Sequence, residues 1–449
     1  KELLESNKDT PRIIEPSVKM TKPNADIPIY TGAFTIKNNS TEYHLEGSIS
    51  FTWFPHSSVQ FEGSMKDLIR LDQQVQYDVI IDGLSLGSSH ILGFSFSTGI
   101  NETIIKGELS GNTTYGDKSI NVEHVHFSIP NLKEILGSNT VRINDRNLTS
   151  SASRTVFDTS DFVIIIDKTL EYSNHSNNLN TSGGYMVLYG GQLTKKNDAV
   201  SQKEASEILY IFGIFISFLN GRRTSPIFFK GIHDGEEIWA DYSEYNVEPH
   251  KVVSSWHPHH PMTNISELWN SFYDLSKNKD HENAITTVIH WYNEANSGSG
   301  YVEGSIILAQ TAMELLYNWI LIDRKKVMVG KDAENLSASN KFRLLLSHMS
   351  IDFSVPSNYT ELQKFITDAK DIVDAPDAVV QIRNAIVHSQ LEKRKKLSTI
   401  SIMAKYQALE LCLWYIEMGI LYSLDYNDLY NDRREQDLGN RLNKLPWIK

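Results

Sequence analysis

A chain of 449 residues exceeds what one hydrophobic core supports, so two or three domains are expected. Apolar residues at 40% and charged residues at 22% exclude wholesale disorder. The formal net charge of −12 argues against coating nucleic acid by charge alone, while leaving room for a small basic site on an acidic body.

Cys412 is the single cysteine, so no intrachain disulfide can form, and a reducing cytoplasm is the expected location. Triplets such as Asn39-Ser40-Thr41 and Asn147-Leu148-Thr149 look like secretory sequons, but a chain rich in Asn, Ser and Thr produces them by chance. The opening residues do not read as a signal peptide. The longest apolar run, "ILYIFGIFISFL" at 208–219, falls short of the roughly 20 residues that cross a bilayer, so no membrane partner is expected.

Residues 28–150 alternate apolar and polar residues between turn signals, as in "AFTIKNNSTEYHLEGSISFTWF" and "NVEHVHFSIPNL". Many short strands at regular spacing predict a sandwich or barrel, taken here as a sandwich-like β-rich region over 1–154. His124 and His126 lie two apart and share a strand face, which fits a metal pair or a solvated face.

A mixed α/β segment over 155–262 is expected to continue the N-terminal module. "SQKEASEILYIFGIFISFLNG" opens on a capping box, Ser201 with Glu204, and stops at Asn220-Gly221. Arg222 and Arg223 after it can bind an anion, or simply complement the helix dipole. "SSWHPHHPM" at 254–262 has three histidines, but its prolines and the lack of a second ligand cluster favour a domain linker over a zinc site.

From 263 to 449 the apolar period becomes helical, predicting an all-helical bundle. Its last long helix, "ISIMAKYQALELCLWYIEMGILYSLDYNDL", is apolar on much of its surface and needs deep burial or a dimer interface.

Within the bundle, "QIRNAIVHSQ" at 381–390 reads as the end of a helix that begins near Asp374–Pro376. Ile382, Ala385, Ile386 and Val387 can pack. Arg383 and His388 are separated by roughly 140° of helical rotation, so they do not share a face. Arginine, an amide and histidine are the groups that RNA cleavage by 2′-OH attack requires. Histidine moves the proton, arginine holds phosphate oxygens and the extra charge of the transition state, and the amide orients either. The same pair fits a solvated arginine and a helix-end histidine.

"RNAIVH", with Asn384 directly after the arginine, resembles the Arg-polar-x3-His signature of HEPN ribonuclease domains. With "FGIFISFLNGRRTSPIFFKGI" (212–232) after a β-rich region, the architecture is similar to that of ApeA-type anti-phage defence proteins. The resemblance implies a fold class of α+β multidomain type with a C-terminal HEPN bundle. It implies a metal-independent endoribonuclease acting in abortive infection, with no cofactor and with RNA as substrate. It further implies a phage-derived trigger sensed by the N-terminal region, and a homodimer in which two motifs face one cleft. Arg383 and His388 become the catalytic pair, Asn384 the polar helper and Glu314 a supporting acid. Lys393, Arg394 and Lys395 are RNA contacts on this reading, and a solvated basic run otherwise. The alternative is a non-catalytic HEPN module for RNA binding or dimerisation, beside a ligand-recognising β-rich region. A glycosidase reading, on Asp78 and Asp82, depends on a carboxylate separation that sequence does not supply.

Overall fold

The structure is a computed structural model. It describes residues 10–97, 99, 101–143, 148–243, 246–262, 264–298, 300–388, 395, 398–435 and 441–448. Two compact units divide the chain: Lys1–Gly213 with Thr224–Lys251, and Ile214–Arg223 with Val252–Lys449.

The first unit is β-rich. Strands β1 (Ile27–Lys37), β2 (Glu42–Thr52), β3 (Ser58–Lys66), β4 (Gln76–Ile81), β5 (Leu84–Ser97) and β6 (Glu102–Ser110) close into an antiparallel barrel in the order β1-β2-β3-β6-β5-β4. The expected sandwich-like arrangement is thus a barrel over these strands. Alternating inward residues are common to both architectures. Closure rests on the pairing of Thr35–Lys37 with Asp78–Ile80, a non-local contact invisible to local pattern. Gly107 faces Phe61 across the β3–β6 pair, and a Cβ there would lie 2.3 Å from the Phe61 ring, so glycine is what lets that ring fill the interior.

An eight-stranded antiparallel sheet completes this unit. It comprises β7 (Thr114–Gly116), β8 (His124–Pro130), β9 (Ser138–Ile143), β10 (Leu148–Asp158), β11 (Phe162–Lys168), β12 (Val187–Lys195), β13 (Ile227–His233) and β14 (Glu236–Asp241). Their order is β7-β14-β13-β8-β12-β11-β10-β9. Residue 154 lies inside β10, so one sheet holds residues from both sides of that position. Phe51 of β2 and Trp53, just after it, meet Phe228 and Tyr185, with Trp53 stacked on Tyr185 at 4.7 Å. Two helices accompany the sheet in sequence, α1 (Tyr172–Ser182) and α2 (Gln202–Asn220). The capping box forms as expected: Ser201 N–H donates to Glu204 Oε2 at 3.0 Å, and Glu204 N–H donates to Ser201 Oγ at 3.2 Å. Gly221 ends α2 at φ 73°.

The second unit is helical: α3 (Ile265–Ser276), α4 (Lys279–Asn296), α5 (Tyr301–Tyr317), α6 (Lys331–Asn335), α7 (Ala338–His348), α8 (Thr360–Asp368), α9 (Ala375–Val387) and α10 (Ile402–Ser423). It is not all-helical, because Leu429–Asn431 (β15) and Leu442–Lys444 (β16) pair as a small antiparallel ladder. Helix α5 runs into a π-helical stretch, Asn318–Arg324. The span Tyr301–Arg324 is long and apolar enough to cross a membrane, yet 61% of its apolar window is buried in the protein, as in a core helix. Helix α10 is buried on most sides, and burial pushes the Cys412 thiol far up from its ordinary pKa.

At the centre of this unit the Arg433 side chain is wholly enclosed. Its Nη2 reaches Glu417 Oε1 at 3.1 Å and donates to Asn296 Oδ1 at 2.8 Å, while Nη1 lies 3.5 Å from Glu410 Oε1. Tyr292 OH donates to the same Glu417 oxygen at 2.6 Å. Burial pushes the Glu417 carboxyl up, and Arg433 opposes that shift. The segment expected as a linker is instead part of this core. Trp256 is buried between Phe218 and Tyr426, and Asn431 Nδ2 donates to the Ser255 carbonyl at 2.7 Å.

Breaking one partner of a buried ion pair strands the other. Arg433→Met should therefore lower unfolding free energy by about 3–5 kcal/mol in urea titration, and the Arg433→Met/Glu417→Leu double variant should recover part of it. Equal stability of Arg433→Met and wild type would show that the charges are not effectively buried.

Candidate functional site at the end of helix α9

Helix α9 begins at Asp374, whose carboxylate accepts the Asp377 N–H at 2.9 Å as N-cap. Pro376 occupies the first turn, where its missing N–H is harmless. Arg343 of α7 grips the same carboxylate through two bonds, Nε to Oδ2 at 2.6 Å and Nη2 to Oδ1 at 2.9 Å. Ser339 Oγ donates to Asp377 Oδ1 at 3.0 Å, and Ala375 N–H to the Phe353 carbonyl at 3.0 Å. Further along, Gln310 Nε2 of α5 donates to the Val379 carbonyl at 2.6 Å. The start and rotation of α9 are fixed by these bonds, and Val379, Ile382 and Ala385 are buried.

The far end of α9 is open. Arg383 and Asn384 are half-buried and adjacent, with Arg383 Nη1 3.5 Å from Asn384 Oδ1. Among the described residues no carboxylate pairs with Arg383, so its fork remains available to an anion. His388 is exposed at the C-cap, with φ −85° and ψ 116°, and its N–H donates to the Asn384 carbonyl at 3.1 Å. It has left helical geometry, so the helical-wheel angle between it and Arg383 no longer describes their side chains. Val387, expected to pack, is exposed beside it, because the helix ends there.

Glu314 is half-buried on α5, a helix that packs against α9, and among the described residues it makes no ion pair with Arg383. Lys395 is exposed, while Lys393 and Arg394 lie outside the described residues. Arg223 does not offer a free cation: it pairs with Glu294 and donates to His290 Nδ1 at 2.7 Å. Among the described residues no group of His, Cys, Asp and Glu is arranged to hold a metal ion, the histidines of 254–262 included. Asp78 is exposed on β4, and Asp82 is exposed in the β4–β5 turn at φ 49°. Neither carboxyl sits in the enclosed setting a glycosidase acid needs.

His124 and His126 do share a face of β8, with ring centroids 4.9 Å apart. His126 is half-buried, bonds Gln192 Oε1 at 3.2 Å, and pairs in register with Lys230. Burial first, then the neighbouring His124 and Lys230, hold its pKa below the ordinary value.

The molecule thus combines a barrel-and-sheet unit with a helical unit that presents arginine, asparagine and histidine at one helix end. Residues 117–253 match the YopA central domain model, and residues 278–443 match the YopA C-terminal domain model. The chain is also 27% identical over 421 residues to the SPbeta prophage-derived uncharacterized protein YopA of Bacillus subtilis (strain 168), covering 91% of this chain and 92% of that relative. No solved structure matches the chain.

The α9 motif is legible in the sequence; the Asp374–Arg343 bonds that hold the helix are not. The "DAP" before the helix was the available signal for the cap; the arginine, 31 residues earlier, was not findable from spacing.

Two outcomes follow. Asp374→Ala removes both the cap and the arginine's partner, and should cost about 2–4 kcal/mol in denaturant titration, whereas Asp374→Asn should retain the capping share. For His126, a folded pKa below the unfolded one means that its contribution is complete above about pH 6.5 and is lost as pH falls through the folded value. Between pH 7.5 and 5.5 wild type should lose more stability than His126→Gln; parallel curves would refute the assignment.

Proposed function

We propose that the protein is a metal-independent endoribonuclease of the HEPN type, acting in the cytoplasm in anti-phage defence. Its N-terminal unit senses a phage-derived trigger or restrains the nuclease. The observation that carries the reading is the end of α9: a guanidinium with no carboxylate partner among the described residues, an adjacent amide, and an exposed histidine at the C-cap.

In this reaction the ribose 2′-oxygen attacks the adjacent phosphorus as its proton leaves to a base. The P–O5′ bond breaks, giving a 2′,3′-cyclic phosphate and a 5′-hydroxyl that takes up a proton. Arg383 binds the non-bridging oxygens and the added negative charge, His388 transfers a proton, and Asn384 orients the arginine. The internal nucleophile removes the need for a metal to activate water. Glu314 is the candidate supporting acid, and Lys395, with Lys393 and Arg394, the candidate RNA contacts.

A homodimer through the helical unit is part of the proposal. It is supported by the exposed Ile402, Met403 and Tyr406 at the start of α10 and by Val387 at the end of α9, apolar surface that a second copy would cover. The similarity to a prophage-derived protein fits a role in conflict between phage and host.

A second reading, RNA binding without cleavage, has one observation in its favour. Among the described residues Arg383 contacts Asn384 and makes no hydrogen bond to His388. Purified protein incubated with RNA in EDTA separates the two. Cleavage should fall by at least about 100-fold in His388→Ala and in Arg383→Ala, with unchanged circular dichroism and oligomeric state. Undiminished cleavage by either variant would remove the catalytic assignment, and RNA binding without any cleavage by wild type would establish the second reading.

A further inference from the structure

A cavity of about 460 Å³ opens in the helical unit beside α10 and the β15–β16 ladder, with Asp352, Trp414, Tyr415, Arg434, Glu435 and Lys444 in its lining. Its wall holds a preformed stack. The Arg434 guanidinium carbon lies 3.5 Å from the Trp414 ring centroid. Trp414 Nε1 donates to Tyr430 OH at 3.2 Å, and Tyr430 OH donates to Asp432 Oδ2 at 2.9 Å. Arg434 Nε and Nη2 donate to the two Asp432 oxygens at 2.9 and 2.7 Å. Arg434 is thus held flat and its charge is matched within the wall.

The Arg434 side chain still keeps 27% of its surface open. Its inner face lies on Trp414 and its Nε/Nη2 edge on Asp432, so the outer face and Nη1 remain. A fixed guanidinium plane with a free face is a platform on which a nucleobase stacks.

The groups around this platform set which base. Asp352 commits Oδ1 to the Ser354 N–H at 2.7 Å and to its hydroxyl, which leaves Oδ2 without a partner among the described residues. Glu435 makes no side-chain ion pair among the described residues, and Lys444 is exposed at the rim. Tyr415 closes the inner wall with its buried ring.

Ionised carboxylates only accept hydrogen bonds, so the ligand edge that meets them must donate. Guanine carries N1–H and the 2-amino group side by side, two adjacent donors for the free Asp352 Oδ2 and the Glu435 carboxylate. Adenine and cytosine set one amino donor beside an acceptor, and uracil sets one N–H between two carbonyls. The volume is in the range of small-molecule sites, roughly 300–1,000 Å³.

We propose that this cavity binds a guanine mononucleotide. The base stacks on Arg434, its Watson–Crick donor edge faces Asp352 and Glu435, and its phosphate lies toward Lys444. The site is separate from the α9 residues assigned to cleavage and does not depend on them.

The test is calorimetric titration of the full chain with GMP, AMP and ribose 5-phosphate, and with a single-stranded RNA bearing unpaired guanines. GMP should saturate and bind at least tenfold tighter than AMP, and ribose 5-phosphate should not bind measurably. Asp352→Asn and Glu435→Gln should each weaken GMP at least tenfold while melting as wild type does; Arg434→Lys should weaken GMP as strongly but melt lower, because lysine cannot hold both Asp432 oxygens. Absence of saturation up to millimolar GMP would overturn the proposal. So would equal affinity for GMP and ribose 5-phosphate, or unchanged GMP affinity in both carboxylate variants. Binding of the RNA without binding of GMP would overturn the mononucleotide assignment. GMP has no internucleotide bond to cut, so this result and the ribonuclease result are read independently.

Discussion

The two-bond grip of Arg343 on Asp374 is the contact on which the candidate site depends. One carboxylate caps α9 and anchors it to α7, so the helix cannot slide or rotate without breaking both interactions. The Gln310 bond to the Val379 carbonyl adds a hold from α5, one turn before Arg383. Among the described residues, the side-chain bonds from neighbouring helices to α9 fall at its start and middle. A helix fixed at one end and open at the other presents its last side chains reproducibly to solvent, which is what a site for a large polymeric ligand requires.

Buried charge organises the rest of the helical unit. Arg433 joins Glu417 and Glu410 of α10 to Asn296 at the end of α4, and Ser254 and Ser255 are drawn into the same cluster through their carbonyls. Such a group is expensive to desolvate; Glu417 and Glu410 match the Arg433 charge, while Arg433 Nε and Nη1 and Glu417 Oε2 have no hydrogen-bond partner among the described residues. Its neighbour in sequence, Arg434, takes the opposite role. It lies on Trp414 at the wall of a cavity, charge-matched by Asp432 but open on one side. Two successive arginines thus divide into one that closes the core and one that faces a space a ligand can fill.

The sequence made the α+β division legible, because apolar period two over 28–150 and period 3.6 from 263 onward follow directly from the pleat and the helical turn. The α2 capping box, the Pro376 start of α9 and the deep burial of α10 were also readable, since each is set by residues within one or two turns. What escaped was non-local. Barrel closure needs β1 beside β4, some 40 residues on. The "SSWHPHHPM" segment looked like a linker because its contacts, Phe218, Asn431 and Tyr426, are distant in the chain. The motif at 383–388 was visible as chemistry, yet nothing in it revealed that His388 would sit outside the helix or that Val387 would face solvent. Glu314 could be assigned to a helix packed on α9, but not to a contact with Arg383.

The central claim is that the end of α9 cuts RNA through the substrate's own 2′-hydroxyl. The direct measurement pairs an RNA that the protein cleaves with the same sequence carrying a single 2′-deoxy nucleotide at the cut site, both in EDTA, with product ends read by mass spectrometry. The first should yield a 2′,3′-cyclic phosphate and a 5′-hydroxyl, and the second no cut at that position. Cleavage at the 2′-deoxy position, or products ending in a 3′-hydroxyl and a 5′-phosphate, would contradict it.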